Sequence, residues 1–193
     1  MLRPLYEWTM RLAASRNAST ALGTVSFIES SVFPIPPDAL LVPMVLANRA
    51  RAWRYAFVCT VTSVLGGLAG YFIGALLFEL LAQPILALYG YADKFQQFAD
   101  AYNRWGAWAV LFAGVTPFPF KVITIASGAT QLSLPVFIVA SLVARGIRFY
   151  AVAGLLYLYG PPIRRFIEER LGLVFTLSLV LLIGGFVLVK FVV

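Results

Sequence analysis

A chain of 193 residues that is 61% hydrophobic and only 12% charged cannot hide its apolar surface in a water-soluble core, because soluble domains run nearer one-half apolar and one-quarter charged. Histidine is absent, which excludes His-ligated zinc, a His-ligated haem, a His-dependent nucleophilic triad and phosphohistidine chemistry. The single cysteine excludes an internal disulfide, and the net charge of +7 sits on residues dispersed between apolar runs, a pattern that suits positive-inside topology and lipid headgroups rather than nucleic acid.

In chain order, residues 1–20 mix Leu5, Trp8 and Leu12 with Arg3, Arg11 and Arg16 and predict an amphipathic helix lying at the interface. No compact apolar core follows these charges, which argues against a signal peptide. Residues 21–47 form an apolar run long enough to reach bilayer depth, since a span needs about 20 residues. Yet the run holds Glu29, Asp38 and the prolines Pro34, Pro36 and Pro37. Pro36-Pro37 removes two amide donors and fixes φ, so a helix cannot pass undisturbed. Broken backbone at that depth is tolerated only against protein or a water-filled cavity, and acids there are read as functional. The segment is therefore expected to be a re-entrant hairpin.

Arg49, Arg51 and Arg54 place residues 48–54 at a membrane surface. Residues 55–88 read as a transmembrane helix with a stripe of Gly66, Gly67, Gly70 and Gly74, which suits close helix packing or the approach of a substrate chain. Residues 89–104 are polar and aromatic and predict an interfacial helix. A second broken run, 105–130, centres on Thr116, Pro117, Pro119 and Lys121 and predicts a second re-entrant hairpin. Residues 134–159 are a transmembrane helix containing Arg145 and Arg148, residues 160–170 a charged surface loop or short helix, and 171–189 a simple transmembrane helix closed by Lys190.

Counting arginines sets the topology. Two re-entrant hairpins put Arg3, Arg11, Arg16, Arg49, Arg51, Arg54, Arg164, Arg165 and Arg170 on one side and leave only Lys94, Arg104 and Lys190 on the other. That asymmetry places the N-terminus in the cytoplasm. The same scheme exposes a weak repeat: Phe33-Pro-Ile-Pro36 answers Thr116-Pro-Phe-Pro119, and residues 66–77 loosely match 145–156. The expected fold is a single all-α membrane domain of two inverted repeats, each a re-entrant hairpin plus a transmembrane helix. The plainer alternative is two coincidental Pro-x-Pro bends.

Glu29, Asp38, Lys121, Arg145 and Arg148 are the main charges at membrane depth, each costing about 2.5–3.5 kcal/mol if buried alone; Glu79, late in the 55–88 run, is a weaker candidate that can reach the interface. They should pair, face water or bind something charged. Repeat symmetry sets Asp38 opposite Lys121, either as a structural ion pair or as part of an anion site with a proton-exchanging carboxylate. Arg145 and Arg148, three apart, share a helix face, and a guanidinium fork suits phosphate. No metal site, cofactor or catalytic constellation is expected.

These motifs resemble the DedA family of membrane proteins, which share the VTT (SNARE-associated) domain. Phe27-x-Glu29 with Phe33-Pro-x-Pro-Pro-Asp38 resembles its first signature, Gly66-Gly-x-x-Gly-Tyr-x-x-Gly74 its second, and Gly128 the close of its third. The resemblance covers roughly residues 20–160. One departure stands out: where the family carries two arginines around the second proline turn, this chain has Val115, Thr116 and Lys121, as in the YqaA-type branch. The resemblance implies facing re-entrant hairpins and a bacterial inner-membrane transporter. Such a flippase or scramblase would move an anionic lipid such as undecaprenyl phosphate or a glycerophospholipid, with proton coupling in some members. Glu29, Asp38 and Lys121 carry over by motif position. A proton- or ion-coupled antiporter and a non-transporting scaffold for envelope assembly remain alternatives, and a homo-oligomer stays open.

Overall fold

The computed structural model describes residues 17–32, 36–116 and 118–169. Pro34, Pro117, most of the segment 1–20 and the expected span 171–189 lie outside them. Among the described residues all regular structure is helical: α1 (Ala18–Ser31), α2 (Asp38–Ala47), a 3₁₀ turn (Arg49–Arg51), α3 (Ala52–Leu77), a π turn (Phe78–Ala82), α4 (Gln83–Leu88), α5 (Ala92–Val115), α6 (Phe120–Ala129) and α7 (Leu134–Glu169). Two stretches, Arg49–Leu88 and Leu134–Gly160, are long and apolar enough to cross a membrane. The apolar helices α2 and α6 have 10 residues each. At 1.5 Å per residue they reach about 15 Å, half of a hydrocarbon core.

Prolines set the breaks. α5 ends where Thr116, forced out of the helical region by the following proline, turns extended at φ −79°, ψ 168°. α2 starts at Pro36-Pro37, whose missing amides cost nothing in a first turn, and Asp38 supplies the acid that a helix N-terminus favours. Pro84 has no amide hydrogen for Leu80 O, and the π turn immediately before it widens the helix to make room for the ring. α7 kinks at Tyr159 (φ −114°, ψ 20°). There Pro161 and Pro162 cannot donate to Tyr157 O and Leu158 O, and Arg49 Nη2 donates to both carbonyls instead. Gly160, lacking Cβ, lets the Arg49 side chain approach.

The interfacial helix expected over 89–104 is not a separate element; α5 runs through residue 104 to Val115. Between Tyr91 and Thr116 there is no proline, and the two glycines, Gly106 and Gly114, fit inside the helix against the side chains of Leu132 and Ala144.

α3 is the helix on which the others assemble, packing against α1, α6 and α7. α1 runs alongside it in the same direction: Gly23 lies on Val58 and Thr62, Ser26 Oγ donates to Cys59 O, and Ser30 O lies beside Gly70. α7 runs the opposite way, with Trp53 against Tyr150 and Tyr157, and Ser63 against Arg145. α2 follows α7, from Asp38 at Arg148 to Leu46 near Gly160. The chain therefore reverses between α1 and α2, beside the middle of both long helices. It reverses again between α5 and α6, where Tyr102 meets Ser127 and Asn103 meets Thr130 O. That second turn arrives beside Gly67 and Ala144 from the other end of the bundle.

Two apolar clusters result. One joins Leu22, Leu41, Met44, Cys59, Phe149 and Ala153; the other joins Val110, Phe120, Leu132, Phe137 and Ala140. Phe57, Phe72, Leu80, Trp108, Phe112 and Val139 are exposed on the outside, a surface that belongs in lipid.

Candidate functional site

The layer between the two clusters is polar, and it is where the two chain reversals meet. Glu29 sits in the last turn of α1, and its Oε2 accepts from Arg145 Nη2 at 2.9 Å and Ser30 Oγ at 3.1 Å. Arg145 Nε donates to Ser63 Oγ at 2.6 Å, and Ser63 shares a 2.7 Å hydrogen bond with Ser30. The guanidinium lies 4.9 Å from the Phe120 ring centre and 4.6 Å from that of Phe149. It thus carries one ring from each apolar cluster. Its side chain is 1% exposed and that of Glu29 is 14% exposed.

One turn along α7, Arg148 Nη2 donates to Asp38 Oδ2 at 2.6 Å and Nη1 to Thr116 O at 2.8 Å. This pair is more open, at 20% and 27% exposure. Arg148 therefore ties the start of α2 to the end of α5, and each ion pair joins segments more than 100 positions apart in sequence, 116 for Glu29–Arg145 and 110 for Asp38–Arg148.

Lys121 does not face Asp38 as repeat symmetry suggested. Its Nζ lies 3.5 Å from Val32 O, and among the described residues neither carboxylate of the layer forms an ion pair with it. The reason is the packing of α2, which lies against α7 and so meets the arginine rather than α6. Thr124 fixes the approach of the two reversals from the α6 side, its hydroxyl lying 3.2 Å from Ser30 O and 2.9 Å from Lys121 O.

The glycine stripe is a contact device. A Cβ on Gly66 would fall into the Phe27 carbonyl, one on Gly74 into the Ile125 carbonyl, and one on Gly70 between Thr124 and Ser30 O. Gly67 is held against Thr124 and Phe120, and Gly128 of α6 against the backbone of Tyr71. These contacts let α1 and α6 settle on α3 with backbone nearly touching backbone, which sets the depth of both reversals. Of the prolines singled out, Pro36, Pro37 and Pro119 lie in the two breaks.

Sequence reasoning passed over Ser30, Ser63, Thr124, Phe120 and Phe149. A signal for the serines was there: Ser26 and Ser30 repeat at helical spacing in one apolar run, Cys59 and Ser63 in the next. The rings could be found only from packing.

The VTT domain, as a family description, matches residues 35–158, a stretch that includes Asp38, Lys121, Arg145 and Arg148. An uncharacterised protein of Haemophilus influenzae is 36% identical over 151 residues, 78% of each chain. An uncharacterised protein of Histophilus somni is 32% identical over 151 residues, again 78% of each chain. No solved structure matches the sequence.

Proposed function

The chain belongs to the VTT-domain (DedA) family of membrane proteins, and we propose that within it this protein carries an anionic lipid headgroup across the bilayer. In this reading the two chain reversals are the tips of re-entrant hairpins, entering from opposite faces and related as an inverted repeat. Arg49–Leu88 and Leu134–Gly160 cross the membrane around them. The protein then resides in the bacterial inner membrane with its N-terminus in the cytoplasm, which puts the arginine-rich segments inside.

The observation that carries the proposal is the charge layer itself. Where the two reversals meet, midway along the long helices, two carboxylates are each paired with an arginine, Arg145 or Arg148, and a third cation, Lys121, stands at the start of α6 in an ion pair with neither of them. An excess of positive charge beside broken backbone and apolar walls suits a phosphate whose hydrocarbon tail stays in lipid. A polyprenyl phosphate or an anionic glycerophospholipid meets that description.

The experiment is leaflet exchange of labelled phosphatidylglycerol and of a labelled polyprenyl phosphate in proteoliposomes. Wild type should accelerate exchange of at least one lipid over protein-free vesicles, and Arg148→Gln should return it close to the protein-free rate. Equal rates with and without wild-type protein, for both lipids, would end the proposal. If transport is ion-driven, Asp38 is the carboxylate placed for it, because its Oδ1 has no hydrogen-bond partner among the described residues. Exchange measured with and without an imposed pH gradient decides that point.

A further inference from the structure

The two ion pairs are built for different duties. Arg145 is enclosed: a carboxylate and a serine hydroxyl accept from it, two aromatic rings lie against it, and only 1% of its side chain is exposed. A ligand has no approach to it. Removing Glu29 would strand a buried cation, which is the costly way to break such a pair.

The second pair is open and incompletely used. Arg148 meets Asp38 through one oxygen, Oδ2, rather than through the two-pronged grip a guanidinium can make with a carboxylate. Asp38 Oδ1 is buried and without a partner among the described residues, and so is the hydroxyl of Thr116, the residue whose backbone carbonyl accepts from Nη1 of the same guanidinium. Buried polar atoms are nearly always hydrogen-bonded in folded proteins. Two such atoms, on the two residues that hold one guanidinium, mark a place that another group completes. Lys121 stands at the start of α6 just past the same break, and among the described residues its ammonium has only a long contact, 3.5 Å, to Val32 O.

We infer that Arg148, Lys121 and the Thr116 hydroxyl form the phosphate-binding half of the layer. Asp38 is an internal counter-ion that occupies Arg148 until a phosphate displaces it, while Glu29–Arg145 stays closed throughout. The inference rests on the headgroup reading above and assigns its parts. It makes Asp38 a competitor of the substrate rather than a contact to it. Neutralising Asp38 should therefore tighten anion binding, the opposite of what an ordinary binding residue would show.

The test is calorimetric titration of the full chain in uncharged maltoside micelles, with dodecyl phosphate in one arm and inorganic phosphate in the other. Asp38→Asn should bind dodecyl phosphate about tenfold more tightly than wild type, which corresponds to about 1.4 kcal/mol. Lys121→Gln should weaken binding, and Glu29→Gln should gain nothing and melt at a lower temperature. Asp38→Ser serves as the second neutral variant if the asparagine destabilises the fold. A wild type that binds dodecyl phosphate while neither Asp38 variant binds it more tightly overturns the inference and leaves the headgroup reading standing. So does an equal gain in Glu29→Gln. A matching gain for inorganic phosphate keeps the displaced counter-ion but removes the lipid as its ligand. Absence of binding in every variant, with leaflet exchange intact, also overturns it.

Discussion

Replacing Glu29 by glutamine removes the charge that answers Arg145 and leaves its shape almost unchanged. Arg145 then keeps Ser63 and the two rings but loses its counter-ion at 1% side-chain exposure. Breaking a buried pair from one side costs about 3–5 kcal/mol, whereas exchanging both partners for apolar groups of similar volume is often neutral. Two variants therefore bracket the effect. Glu29→Gln should lower the melting temperature by roughly 10 °C, taking about 2–4 °C per kcal/mol for a chain of this size. The double variant Glu29→Leu with Arg145→Met should recover most of that loss, because Phe120, Phe149 and the methionine can pack without a charge between them. The assay is thermal unfolding in detergent followed by intrinsic fluorescence. A Glu29→Gln protein within about 1 kcal/mol of wild type would show that the pair is solvated in practice. A double variant no better than the single one would show that the layer needs the arginine for its shape rather than for its charge.

Two further outcomes follow from the packing. Gly66→Leu drives a side chain into the Phe27 carbonyl. It should cost about 1–3 kcal/mol or more as α1 lifts from α3, while Gly90→Ala, where nothing lies within 4 Å but φ is +69°, should cost only about 1 kcal/mol of backbone strain; melting temperatures compare the two. Arg49→Ala leaves Tyr157 O and Leu158 O without their donor and should cost about 1 kcal/mol. The same change made on a Pro161→Ala, Pro162→Ala background should cost little, since the restored amides can take over both carbonyls; a full Arg49 effect on that background would refute the capping account.

What could be read from the amino acids was of two kinds. Chemistry tied to single residues was legible: the apolar excess, the breaks at Pro36-Pro37 and at Pro119, the close-packing stripe from Gly66 to Gly74, and the short roster of charges in apolar runs. Each follows from a property a residue carries anywhere, such as a missing amide, a missing Cβ or the cost of burying an ion. Pairing was not legible. Asp38 was set against Lys121 by symmetry of sequence, but α2 lies on α7, so the carboxylate meets Arg148. Which helix borders which is decided by the sum of many contacts, and no local pattern reports it. The unbroken course of α5 was obscured differently. Its polar first half and apolar second half suggest two elements, although no residue between Tyr91 and Thr116 stops a helix. The role of Arg49 was within reach, because two adjacent prolines late in a helix always leave two carbonyls that need a donor.

The distance in sequence between Glu29 and Arg145 has a consequence for how the protein is made. The partners are 116 positions apart, and at about 5–20 residues per second a ribosome needs on the order of ten seconds to cross that interval. For all that time α1 holds a carboxylate with no cation to meet it, and neither the insertion machinery nor the lipid core can accept it at depth without cost. The first half of the chain should therefore wait near the aqueous surface and sink to its final depth only when α7 arrives. In chains that keep Glu29 and carry Cys59→Ala, ribosome-stalled lengths ending before Arg145 should leave a Ser26→Cys thiol on the same helix open to a water-soluble maleimide, and lengths extending well past Arg145, where position 26 is buried, should not.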